Sequence, residues 1–139
     1  MTITKTKTWT YDTIKALIEQ QSGWVVESEN NCLSISNDEG INAFLYTGEE
    51  QIIVEAALFP LKSVDNAPVL NDLILRTHQL LPLTTIGIKT IGDEDYYIAF
   101  GSLSADSKDT VVIEEVATLF ANVDEFLELY TEYLNKEAA

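Results

Sequence analysis

Residues 109–134 read DTVVIEEVATLFANVDEFLELYTEYL. Within them Val112, Val116, Leu119, Val123, Phe126, Tyr130 and Tyr133 recur at alternating spacings of four and three, and Ile113, Phe120, Leu127 and Leu134 repeat every seven residues beside them. This is the period at which a helix presents one apolar face. The stripe spans roughly 160° at 100° per residue, and much of it is aromatic. A coiled-coil seam is the competing explanation of the same period, but such a seam is narrower. The pattern therefore predicts a helix lying on a sheet. Glu114, Glu115, Asp124, Glu125, Glu128 and Glu132 fill the other faces and are expected in water. Ser107 or Asp109 is the expected cap at its start.

Moving toward the N-terminus, Leu83 to Thr90 and Asp95 to Leu103 flank the turn Gly92-Asp93-Glu94 and predict a hairpin. Tyr96, Ile98 and Phe100 point one way, whereas Tyr97, Ala99 and Leu103 point the other. Both sets are apolar, as in a central strand covered on each face. Before the hairpin, Pro68 suits the first turn of a helix. Val69, Leu70, Leu73, Ile74, Thr77, Leu80 and Leu81 form its stripe, and Pro82 ends it. Leu75 projects away from that stripe. Residues 24–59 switch to strand-like patterning, with turns at Asn30-Asn31, Asn37-Asp38-Glu39-Gly40 and Gly48-Glu49-Glu50. Connections this short allow only antiparallel neighbours. Four strands are expected there, the first short or irregular. Tyr11, Ile14, Leu17 and Ile18 predict an opening helix capped by Thr10 and stopped by Gly23. Trp9 and Trp24 flank it and are expected to close one end of the core. Residues 1–8 read as a flexible arm and residues 9–139 as a single domain. The fold class is α+β, an antiparallel sheet with helices packed on it, in the order α-β-β-β(-β)-α-β-β-α.

Charge narrows the partners. Eight Lys and Arg face 23 Asp and Glu, a formal net charge of −15. Such a surface repels nucleic acid and anionic lipid, and it suits a basic protein partner. The N-terminus lacks an apolar signal core. The longest apolar stretch, Ile52 to Leu61, is interrupted by Glu55 and Pro60 and is too short to span a bilayer. A cytoplasmic location without direct membrane insertion is expected. The single cysteine, Cys32, excludes an internal disulfide.

The common enzyme chemistries find no footing. His78 is the only histidine, which excludes multi-histidine metal sites. Cys32 lies in a strand, where a packed, inert thiol is the usual case. Asp38-Glu39 and Asp93-Glu94-Asp95 lack the spacing of a calcium loop. Gly101-Ser102-Leu103-Ser104 is not a nucleophile elbow, and no phosphate-cradling glycine loop or dinucleotide fingerprint is present. Accordingly no catalytic residue, cofactor or metal ligand is assigned, and the chain is not expected to be an enzyme. A carboxylate-based enzyme is the least favoured alternative.

The order of elements, the size and the acidity resemble the type III secretion chaperones over nearly the whole chain. In this resemblance the segment from Leu70 to His78, followed by the hairpin, matches their dimer-forming region. It implies a homodimer that binds protein, with Leu75, His78, Ile86 and Ile88 as candidate interface residues. The segments Pro82–Ile88, Tyr96–Ser104 and Val112–Asn122 are similar to the YjfI-like family of uncharacterised bacterial proteins. That resemblance implies an alternative partner, a phage-shock-protein-A-like membrane-stress protein for which this chain would be an adaptor.

Overall fold

The computed structural model describes residues 8–80 and 83–135. Helix α1, Tyr11–Glu19, starts at Thr10, whose hydroxyl accepts from the Thr13 amide while the Thr13 hydroxyl accepts from the Thr10 amide. Strands β1 (Val25–Glu29), β2 (Cys32–Ser36), β3 (Asn42–Thr47) and β4 (Gln51–Pro60) follow. Asn30, at φ 48°, makes the tight β1–β2 turn, a conformation asparagine tolerates better than most residues. Helix α2, Ala67–Thr77, is capped by the Asn66 side chain, which accepts from the Val69 amide at 3.3 Å, and carries Pro68 in its first turn. Strands β5 (Thr85–Ile91) and β6 (Glu94–Ser104) form the second hairpin, and α3 runs from Asp109 to Leu129.

The six strands make one antiparallel sheet in the order β1-β2-β3-β4-β6-β5. The meander supplies the first four. The chain then crosses through α2 to the far edge, and the hairpin returns β6 between β5 and β4. The sheet keeps its apolar alternation in register: Leu33 pairs with Leu45, Leu45 with Val54 and Val54 with Gly101. A bulge between Ala57 and Phe59 shifts the pairing of β4 with β6. It turns Phe59 inward onto Tyr97, with ring centroids 5.4 Å apart. All three helices bury their stripes in one cluster with this sheet face, including Ile14 and Ile18 of α1, Leu70 and Ile74 of α2, and Val112, Val116, Leu119, Val123 and Phe126 of α3. Both tryptophans close that core. Trp9 Nε1 donates to the Ser107 carbonyl at 2.6 Å, and Trp24 meets the Phe120 ring at 5.8 Å between centroids.

The structure departs from the sequence expectations in five places. Strand β1 is a full member of the sheet, paired with β2 from Val25 to Glu29. Strand β6 is central, but helices cover one face only; Ile98 lies on the other face and is only 7 % exposed because its strand neighbours crowd it. Helix α3 is preceded by Lys108, which makes no side-chain cap. Asp109 instead accepts from the Thr110 amide, and the Ser107 hydroxyl donates to the Ser104 carbonyl. Helix α2 ends at Thr77 and passes into a 3₁₀ turn, His78–Leu80, leaving Leu80 exposed. Lastly, Glu115 is buried at 4 % exposure, with Asn122 beside it on the same flank of α3. The expectations for the arm before Thr8, for Leu81 and for Pro82 lie outside the described residues.

Candidate functional site

An apolar groove runs between α2 and β5. Asn71, Ile74 and Leu75 line it from the helix; Ile86, Gly87 and Ile88 line it from the edge strand, and Tyr97 of β6 forms its floor. The floor is fixed by the Tyr97 hydroxyl, which donates to Asn71 Oδ1 at 2.6 Å. The bond gives this buried phenol its partner and ties α2 to the sheet. Ile74 and Ile86 are buried beneath the helix, whereas Leu75 is 73 % exposed and Ile88 50 % exposed. Ile86 and Ile88 lie two residues apart on β5, so both face the helix side of the sheet. Among the described residues no charged side chain lines the groove, in a chain of which 22 % is charged.

Three of the four candidate interface residues, Leu75, Ile86 and Ile88, thus meet in one groove. The fourth does not. His78 follows α2 in the 3₁₀ turn and lines a neighbouring cleft with Leu83, Thr84, Gly101, Ser102 and Glu115. Its Nε2 is buried without a hydrogen-bond partner among the described residues. Sequence reasoning missed Asn71 as a groove residue. The signal was available, since a residue four before Leu75 stands beneath it on the same side of a helix.

The uncovered face of the sheet carries a second polar cluster. Lys89 Nζ is 2.5 Å from Glu55 Oε1 and lies over the Tyr46 ring at 5.4 Å from its centroid. Burial, reinforced by the Glu55 carboxylate, pushes the Tyr46 phenol up to about 12. Cys32 stands in this cluster, half-buried, instead of in the core. Burial raises its thiol pKa and the Glu29 carboxylate adds to the rise. The thiolate is the reactive form, so native Cys32 should react with a maleimide or disulfide reagent several-fold more slowly than the urea-unfolded chain at pH 7.5. Equal native and unfolded rates, followed by absorbance, would show that the thiol is not held in this cluster.

Among the described residues no group of three or more His, Cys, Asp or Glu is placed to hold a metal ion, and no helix is long and apolar enough to cross a membrane.

This fold, a six-stranded antiparallel sheet with helices on one face, is similar to that of solved secretion-chaperone chains. A chain of the HopA1-SchA chaperone-effector complex superposes with a TM-score of 0.59 at 17 % identity, over 85 % of this chain and 90 % of that one. A chain of the ExsC-ExsE complex does so at 0.60 and 12 % identity, over 86 % and 94 %. YbjN from Escherichia coli, described as a proposed transcription regulator, shares the fold at 0.68 and 14 % identity, over 94 % and 97 %. These identities establish likeness of fold alone. The chain itself belongs to a family of uncharacterized proteins conserved in bacteria, DUF2170, whose pattern matches residues 5–134. It is 34 % identical over 119 residues to the uncharacterized protein YjfI of Escherichia coli K12, covering 84 % of this chain and 88 % of YjfI.

Proposed function

We propose that this chain is a cytoplasmic, non-enzymatic protein-binding domain that works as a homodimer, with the groove between α2 and β5 as the junction of the two copies. The observation that carries the reading is the pairing of exposed apolar residues, Leu75 and Ile88, across a groove lined by no charged side chain. Two copies of a chain with a net charge of −15 repel each other over most approaches. A neutral groove is where they can come together at least electrostatic cost. Strand β5 is also an edge of the sheet, so it offers unpaired backbone donors and acceptors beside Ile88. A two-fold axis through such a patch buries the same residues on both copies. The likeness to chains of chaperone-effector type supports protein as the ligand. Contact with nucleic acid finds no support in the acidity.

Light scattering of the parent at micromolar concentration should give about twice the 15.5 kDa chain mass. Leu75→Asp combined with Ile88→Asp should give a particle of one chain mass with an unchanged circular dichroism spectrum, because both side chains are already exposed. A parent that stays monomeric removes the dimer. In that outcome the groove belongs to a different protein, and the reading of the chain as an adaptor for a phage-shock-protein-A-like partner takes its place.

A further inference from the structure

Glu115 projects from α3 toward the end of β6 where the hairpin partner stops. The β5 register accompanies β6 only as far as the pair Thr85–Phe100. Beyond it, Gly101 to Ser104 are paired with β4 alone, from Val54 back to Gln51. Their other edge has no strand partner among the described residues. The cleft beside this edge is lined by His78, Thr84, Thr85, Ser102 and Leu103, with Glu115 as its only carboxylate among the described residues.

Several observations set Glu115 apart from the other acids of α3. It is 4 % exposed, whereas Glu114, Asp124, Glu125 and Glu128 are exposed. Its carboxyl receives no hydrogen bond and joins no ion pair among the described residues; the ion pairs there join Lys62 to Glu94, Arg76 to Asp72 and Lys89 to Glu55. The fold nevertheless makes room for it. A Cβ on Gly101 would overlap the Glu115 carboxyl, and the Leu83 carbonyl oxygen would lie 3.1 Å from the same Cβ. A glycine inside a central strand costs order and packing, and is found where another group must come close. Leu83 holds a left-handed backbone, φ 66°, that leucine seldom adopts. Two acceptors, a carboxyl and a carbonyl, therefore converge beside a strand edge. His78, in the same cleft, leaves a buried ring nitrogen without a partner among the described residues. Buried carboxylates ordinarily have hydrogen-bonding partners or opposite charges.

We propose that the cleft of Glu115 is a subsite for the cationic side chain, lysine or arginine, of a bound polypeptide segment. The inference rests on the protein-binding reading above and specifies the chemistry of the segment. A segment laid along Gly101–Ser104 meets an edge of β6 that has no strand partner among the described residues. A lysine or arginine on it presents donors to the Glu115 carboxyl and to the Leu83 carbonyl beside it. The acidity of the whole chain draws basic segments toward the cleft. Burial and the neighbouring Glu114 raise the pKa of the empty carboxyl, which is the state that a cation would reverse.

The test uses one-residue probes, so it reads the subsite without requiring a dimer or an identified partner. Nα-acetyl-arginine methylamide, the corresponding lysine derivative and the neutral norleucine derivative are titrated into the full chain and followed by NMR. The arginine or lysine probe should shift the Leu83, Gly101 and Ser102 amides saturably, and the norleucine probe should not. Glu115→Gln should weaken that response at least tenfold, while Glu125→Gln on the exposed face should leave it unchanged. In the parent, the Glu115 carboxyl carbon should titrate at a lower pH with the probe bound. Equal responses to charged and neutral probes, or equal responses in the two variants, would reduce the effect to general attraction and overturn the subsite. No response at all would also overturn it, and would leave Glu115 as an internal carboxyl with no part in binding. In each of these outcomes the groove between α2 and β5 is still decided separately, by the oligomer mass.

Discussion

Phe120→Ala should lower the thermal midpoint by about 10–20 °C. Phe120 comes from the seven-residue series beside the main stripe of α3 and is 5 % exposed. Its ring takes the edge of Trp24 at 63° between planes, so it ties α3 to the segment that links α1 to β1. Truncation removes the burial of the ring and leaves a cavity that a sheet and a long helix cannot easily collapse to fill. Core phenylalanine losses cost about 3–5 kcal/mol, a large share of the roughly 5–15 kcal/mol that holds a typical domain together. Glu128→Gln, on the exposed side of the same helix, should melt within about 1 °C of the parent. The two variants are compared by circular dichroism melting. Should Phe120→Ala melt with the parent, the α3 stripe is not core, and the helix becomes a candidate docking surface.

The α3 stripe was legible because burial on a helix repeats with the turn. Position alone, from Val112 to Tyr130, reports it. The burial of Glu115 was not legible by residue type, since an acid among exposed acids reads as solvent-facing. Its position did carry a signal: Glu115 and Asn122 are seven residues apart and directly precede the stripe residues Val116 and Val123. The stripe was extended toward Ile113, Phe120 and Leu127, whereas the structure buries the opposite flank as well. Asn122 is accommodated there by donating to the Thr84 hydroxyl at 2.7 Å. Strand β6 shows a different kind of illegibility. Alternation separates its two faces correctly, but an apolar face against a helix and an apolar face crowded by strand neighbours have the same composition. The bulge in β4 is also silent in the pattern, because Ala57, Leu58 and Phe59 are all apolar and any of them can be the inserted residue.

The groove was partly legible for a simpler reason. Leu75 lies off the stripe of its own helix, and the alternation of β5 puts Ile86 and Ile88 on one face; both facts are local. That α2 lies over β5 with Asn71 bound to Tyr97 is a long-range fact, fixed by packing across 26 positions of chain. His78 stands in the 3₁₀ turn that follows α2 and lines the neighbouring cleft instead of the groove, a placement that residue spacing does not report.

Gly101→Ala should destabilise the domain by about 1–3 kcal/mol, although the change adds a single methyl group to a strand. In an ordinary strand that change is favourable, since glycine orders at greater cost than alanine. Here the new Cβ would occupy the seat of the Glu115 carboxyl. The side chain can leave only by repacking the flank of α3 or by moving into the cleft. If the carboxyl is the main obstacle, Gly101→Ala should cost much less in a Glu115→Ala background, under about 1 kcal/mol. A residual cost is expected, because the Leu83 carbonyl at 3.1 Å from the Cβ position remains. The companion variant Glu115→Gln separates charge from shape. Burial first, and Glu114 second, raise the pKa of Glu115 in the folded chain. Between its unfolded and folded pKa values the folded chain therefore holds the proton that the unfolded chain has lost. Stability falls as pH rises through that interval, and above it the full cost of the buried charge is present. Glu115→Gln removes this component, so at pH 7 it should melt above the parent, with the difference shrinking as pH falls toward the unfolded carboxyl range. Strict additivity of Gly101→Ala and Glu115→Ala in urea titrations would mean that the carboxyl does not occupy the space that glycine leaves. A Glu115→Gln variant no more stable than the parent at pH 7 would mean that the carboxyl already has a compensating partner in the folded protein. The two results together distinguish a glycine retained for space from a carboxyl retained for charge.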